Sequence, residues 1–270
     1  MSTYKTPFSP DDHGFPWPNS FEGEDIVSSW FDQDLVSSRS ATDILGLAYG
    51  GPPRQLTADM LDITTDEIAE ELAGLVDCAG LSAGMCLVAL DRYQQDLTPW
   101  QGKPGRRSQR FADLTRHQFE VFGRWARLGE AVLDMSRPDT THPWDQARSL
   151  GSVSVDDSWP RIRDRLSRGA PVPLILYRSR WNPFGNDVVI AFGYRDTADN
   201  TGRLDIYDPN HPGVGTHLTI DFDRENHFRL GPKSAYGASQ RKVRGLKRIR
   251  HDHQRIDESD RVLQAYLAAM

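Results

Sequence analysis

Pro171-Val172-Pro173-Leu174-Ile175-Leu176-Tyr177 (residues 171–177) is where the chain changes period. A short apolar run, rich in branched and aromatic side chains and preceded by Gly169, reads as a buried strand. Three further runs of that kind come after it: Val188 to Phe192, Leu204 to Tyr207 and His217 to Phe222. On the N-terminal side the spacing is helical. Met85, Val88, Ala89 and Tyr93 recur at helix intervals over 82–96. Phe111, Leu114, Phe119, Phe122, Trp125, Leu128 and Val132 predict two helices broken near Gly123 or Gly129. Trp159-Pro160 opens another helix, with proline suited to its first turn, and Gly169 stops it. Helices up to about residue 170 and strands over 172–230 are the signature of an α+β domain, not of alternating α/β units.

The flanks are read differently. Residues 1–25 carry Pro7, Pro10, Pro16 and Pro18 with Phe8, Phe15, Trp17 and Phe21 among them. The prolines block regular helix, and the aromatics predict an extended arm packed on the domain. Residues 26–75 hold a Gly50-Gly51-Pro52-Pro53 loop and then Thr64-Thr65-Asp66-Glu67, a helix start with a capping threonine and acids in the first turn. From Lys233 to Arg250 there are seven Lys or Arg and no acid. Beyond them is a short run with Val262, Leu263, Tyr266 and Leu267 on one helical face. The expected organisation is therefore an arm over 1–25, a domain over 26–232 and a basic appendage over 233–270. The apolar face of the appendage is the expected surface for a protein partner or for self-association.

Bulk properties exclude several classes. With 270 residues, 38% of them hydrophobic and 26% charged, the composition is that of a globular domain. A net charge of −6 argues against general nucleic-acid binding. No apolar run reaches the length of a membrane span. The first thirty residues lack an apolar h-region, so a cytoplasmic location is expected, with non-Sec export left open. Cys78 and Cys86 would lie about 12 Å apart on a continuous helix, too far for a disulfide. The histidines show no convergent ligand spacing, so neither metal nor cofactor is expected.

Five motifs occur in a fixed order: Gly80 to Met85 with Ala89-Leu90-Asp91; Trp159-Pro160-Arg161-Ile162-Arg163; Pro171-Val172-Pro173-Leu174; Asn186-Asp187-Val188-Val189 ending in Gly193-Tyr194; and Tyr207-Asp208-Pro209-Asn210. Gly14-Phe15 and Pro18-Asn19 fit the same plan. In this order they resemble a family of largely uncharacterised bacterial proteins with a papain-like, C39-peptidase-like fold, from about residue 8 to about residue 230. The resemblance implies N-terminal helices packed on a C-terminal antiparallel sheet, with a cysteine nucleophile and a histidine base. This chain departs at both places: the cysteine position is Ser82 and the histidine position is Asp187.

A serine hydroxyl needs a base near neutral pKa, and an ordinary aspartate at about 3.9 is a poor one. Asp208 or Asn210, which would orient the histidine, has nothing to orient. Ser82, Asp187, Asp208 and Asn210 are therefore expected to converge as a degenerate site. Ser82 reads as the N-cap of its helix, Asp187 as a hydrogen-bond partner for Ser82, and Asp208-Pro209-Asn210 as a turn. The reading is a catalytically inactive, pseudo-peptidase domain that binds or scaffolds. Two alternatives stand beside it: an active hydrolase or transferase built on Ser82, and a secreted effector or toxin domain.

Overall fold

The computed structural model describes residues 2–36, 69–70, 72–74, 80–122, 125–141, 148–180, 185–197, 199–223, 228–237 and 242–251. Helices and one antiparallel sheet make up these residues. The helices are α1 (Pro10–His13), α2 (Gly23–Asp32), α3 (Ser82–Gln94), α4 (Gln109–Phe122), α5 (Trp125–Ser136), α6 (Leu150–Val153) and α7 (Trp159–Ser167). A π-helical turn, Ser154–Ser158, joins α6 to α7. The strands are β1 (Thr3–Lys5), β2 (Val172–Tyr177), β3 (Asp187–Asp196), β4 (Thr201–Tyr207), β5 (Thr216–Asp221), β6 (Phe228–Gly231), β7 (Lys242–Val243) and β8 (Gly245–Arg248).

Strand order is β7-β6-β5-β4-β3-β2-β8, every pairing antiparallel. One side of β3 is shared: β2 pairs with Asp187 to Ala191 and β1 with Gly193 to Arg195. β2 is buried along its whole length because both faces of the sheet are covered. Ile175, Tyr177, Val188 and Ile190 join the core built by α2, α3 and α4. Leu174, Leu176, Val189 and Ala191 join the other core, with Trp159, Ile162 and Leu166 of α7. The alternation is the two-residue period of a strand. It breaks where it should: a register shift lies between Ala191 and Gly193. An extra residue in one strand moves the residues after it to the other face. Phe192 thus packs with α3, while Tyr194 packs with Trp159.

α3 is the centre of the first core, with every residue from Ser82 to Arg92 buried. Gly84 lets it lie directly on α4. A Cβ at Gly84 would stand 2.1 Å from the Leu114 carbonyl oxygen.

Two expectations for the flanks are corrected. The proline-rich N-terminus is not only an extended arm: Pro10 starts the one-turn helix α1, β1 joins the sheet, and Phe8, Phe15 and Trp17 are core residues. Proline at the first helical position costs nothing, because its missing N–H is unpaired there anyway. The boundary after residue 232 also fails. β8 pairs with β2 from Leu174↔Arg248 to Tyr177↔Gly245, and Val243, Leu246 and Ile249 are buried. Uniform positive charge concealed an apolar residue at nearly every third position. Arg244 is itself buried: it donates to the carbonyls of Met135, Arg137 and Ser179 and pairs with Asp139 at 2.6 Å. The helix start at Thr64-Thr65 and the face of Val262, Leu263, Tyr266 and Leu267 lie outside the described residues.

Two substitutions test this packing. Gly84→Ala gains about 1 kcal/mol of helix propensity but forces α4 away, an overpacking cost of up to about 3 kcal/mol. A net loss of stability is expected in urea unfolding; an unchanged midpoint would mean the helices are not in backbone contact. Arg244→Ala strands three carbonyls, and a loss of about 3 kcal/mol is expected. Lys242→Ala, two residues before it in β7 and exposed, should change stability by less than about 0.5 kcal/mol. Equal small effects would restore the appendage reading.

Candidate functional site

The site begins at the turn before α3. Gly80 has φ of +54°, a left-handed conformation that suits glycine. A Cβ there would also stand 2.6 Å from the Asn19 side chain. Asn19 is close because its Oδ1 accepts from the Leu81 amide at 2.7 Å. Its Nδ2 donates to Asn210 Oδ1 at 3.0 Å, and its backbone amide donates to the Pro209 carbonyl at 2.9 Å. One asparagine thus ties the α3 turn to the Asp208-Pro209-Asn210 turn. Asn210 Nδ2 continues the chain to Asp187 Oδ1 at 3.3 Å.

Ser82 lies at the other end of this constellation. It is the first residue of α3, with Leu81 in the capping position, so it is not the N-cap. Its side chain reaches across to β3 instead: Val188 N donates to Ser82 Oγ at 3.3 Å. Cys86, one turn further along α3, donates from Sγ to the Val188 carbonyl at 3.2 Å. β4 pairs with β3 only from Ile190 onward, so α3 takes up the backbone groups that β4 leaves at Val188. Ser82 is 0% exposed. In its bond to Val188 the hydroxyl accepts, and among the described residues no base addresses its proton.

Asp187 does not bond Ser82. Its Oδ2 pairs with Arg178 Nη1 at 3.0 Å and its Oδ1 accepts from Asn210. Burial pushes the Asp187 carboxyl up to about 6. Arg178 and the Asn210 hydrogen bond oppose that rise, and the nearby Asp208 adds to it. Asp208 is buried and fully engaged: Oδ1 accepts from the Asn210 amide at 2.9 Å and Oδ2 from the Tyr236 hydroxyl at 2.7 Å. Burial, then the charge of Asp208, raises the Tyr236 phenol above its usual range. His211 packs edge-on against Tyr236.

The four residues singled out from sequence are thus neighbours in space, in two linked groups. Ser82 is joined to β3 at Val188, the residue after Asp187. Asp187, Asn210 and Asp208 share hydrogen bonds. Sequence reasoning missed Arg178, Tyr236 and the bridging role of Asn19. Arg178 comes directly after β2, where a charged residue signals only a strand end. Burial, then the charges of Asp208 and Asp187, pushes the Cys86 thiol well above the usual range. Cys78 lies outside the described residues.

A second polar cluster was also missed. Asp91 is 0% exposed. Its two oxygens meet His117 Nε2 at 3.0 Å and His251 Nε2 at 2.6 Å. His117 Nδ1 faces the Asp113 carbonyl at 2.8 Å, so only the doubly protonated ring can donate from both nitrogens. Among the described residues, no three His, Cys, Asp or Glu side chains are placed to hold a metal ion.

The Asp187 carboxyl predicts a pH signature. Its folded value lies above the unfolded one of about 3.9. The native state therefore binds more protons between about pH 4 and 6, and this group's contribution to stability falls as pH rises through that window. Asp187→Asn lacks that loss. Its stability relative to the parent should rise from pH 4 to pH 7 in urea unfolding. A flat difference would mean that Asp187 titrates like an exposed aspartate.

Compared with known proteins, the chain matches no protein-family model, no curated protein and no solved structure, so the chemistry of the site is argued from the contacts just described.

Proposed function

We propose that the chain is a papain-like domain whose catalytic pair has been replaced by a structural lock, and that it acts by binding or scaffolding rather than by peptide hydrolysis. The carrying observation is the state of the two positions. Ser82 is fully buried and accepts from the Val188 amide. Asp187 is held by Arg178 and Asn210. A serine nucleophile needs a base within hydrogen-bond reach of its hydroxyl, and Ser82 has none among the described residues. The ordered motifs, the helix–sheet arrangement and the gathering of Ser82, Asp187, Asp208 and Asn210 at one place support the papain-like plan. A protein partner, or a second copy of the chain, is the ligand class this reading implies. The sequence offers Val262, Leu263, Tyr266 and Leu267 as the contact face.

One observation favours a rival. A carboxyl lifted to about 6 is closer to what a general base requires. An active Ser82-based hydrolase would need Asp187 to leave Arg178 and turn to Ser82.

The two readings separate under a serine-directed fluorophosphonate probe, a thiol-directed iodoacetamide probe and a broad peptide and ester panel. The expected result is no specific labelling and no turnover. Ser82→Ala should change only stability, by roughly 1–2 kcal/mol, because the Val188 amide loses its acceptor. Turnover that disappears in Ser82→Ala would establish the hydrolase instead.

A further inference from the structure

Four arginines collect where α7 meets the end of β8. Arg161 and Arg165 are one turn apart on α7 and so lie on the same face. Arg248 ends β8, and the amide of Ile249 donates to the Pro173 carbonyl, which keeps the chain extended. Arg250, two residues on, therefore points to the same side as Arg248. Burial, then the charges of Arg165, Arg250 and Arg161, lowers the Arg248 guanidinium below its usual value.

The acids nearby are committed elsewhere. Asp156 and Asp157 pair with Arg148, Asp164 with Arg168, and Glu130 and Asp134 with Lys247. Among the described residues no ion pair reaches Arg161, Arg165, Arg248 or Arg250. Like charges one helical turn apart are destabilising, so the fold carries a cost here that an anion would relieve.

Arg161, Arg248 and Arg250 line a cavity of about 730 Å³ whose walls include Leu150, Val153 and Ile249, and also Glu130, Asp134 and Asp157, whose charges are met by Lys247 and Arg148. That volume is in the range of small-molecule sites. We propose that this cavity is a binding site for a phosphorylated small molecule, with Arg161, Arg248 and Arg250 holding the phosphate and the aliphatic wall receiving the organic part. Planar guanidinium groups match phosphate oxygens two at a time. The site is built from α4, α5, β2, β8, α7 and the segment before α7, and does not use Ser82 or Asp187. It stands whether or not the domain is catalytically inert.

Inorganic pyrophosphate is the probe, titrated calorimetrically into the full chain and followed by thermal melting. One saturable equivalent and a melting temperature that rises with ligand are expected. Arg161→Gln and Arg248→Gln should each weaken binding at least tenfold. Arg106→Gln, whose charge is paired with Glu22 and Asp25 outside the cavity, should leave it unchanged. Arg161 is exposed, so its variant should fold and, without ligand, melt no lower than the parent. Absence of binding at millimolar pyrophosphate overturns the proposal, and so does equal weakening by all three variants, which would mean diffuse charge attraction. An oligonucleotide that binds where pyrophosphate does not would make the patch a nucleic-acid surface and also overturn it.

Discussion

Where α3 is pressed against β3, the amide and carbonyl of Val188 must find partners or cost about 1–3 kcal/mol each. Water is excluded there, and β4 does not extend that far along β3. Ser82 and Cys86, one helical turn apart, supply an acceptor and a donor. That pair fixes both the rotation and the height of α3 on the sheet. The Gly80 turn is then placed against Asn19, Asn19 against the 208–210 turn, and Asn210 against Asp187. The candidate site is the outer end of the arrangement that seats the central helix.

Two buried aspartates show how partners decide the sign of a shift. Burial pushes both carboxyls up. At Asp91, hydrogen bonds from His117 and His251 outweigh burial and hold the group down to about 2. At Asp187, one arginine and one amide do not, and it stays near 6. The consequences for stability differ accordingly. Asp91 contributes above its unfolded value near 4, and the contribution is lost as pH falls towards 2. Burial pushes His117 down, but the hydrogen bond to Asp91 and the Asp113 carbonyl raise it overall. Its contribution is complete below about 6.5 and is lost as pH rises through the raised folded value. His251 lies just beyond β8, so the Asp91 cluster fastens the end of the C-terminal strand to the central helix.

The strands of the sheet were legible because β2 and β3 are continuous apolar runs bounded by glycine and turn residues. α3 and α7 were legible from helical spacing and from proline at an early position. What failed was of two kinds. Three-residue β1 and four-residue α1 are too short to show a period, and β1 exists only because β3 offers an edge beyond β2. The C-terminal strands failed for another reason. Seven cations suggested a solvated segment, yet Arg244 is buried, where three backbone carbonyls and a carboxylate receive it. At the site, the order of motifs brought Ser82, Asp187, Asp208 and Asn210 into view. Their partners Arg178, Asn19 and Tyr236 come from separate parts of the chain. No local pattern marks such a pairing, because the hydrogen bonds depend on the assembled sheet.

The surroundings of position 187 match aspartate. Arg178 lies 3.0 Å from its carboxylate, and Asn210 presents an amide donor to the other oxygen. A protonated histidine there would face the guanidinium with like charge, and a neutral one would leave Arg178 with less to pair. Position 82 is suited to oxygen in the same way. The Val188 amide needs an acceptor, and a hydroxyl oxygen accepts better than a neutral thiol sulfur, which is a weak acceptor. Cys86 takes the complementary role, with its thiol kept protonated by burial and so able to donate to the Val188 carbonyl. Serine at 82 and aspartate at 187 are therefore each fitted to the groups around them. Each is met by neighbours whose chemistry complements it, and each joins separate elements of the fold.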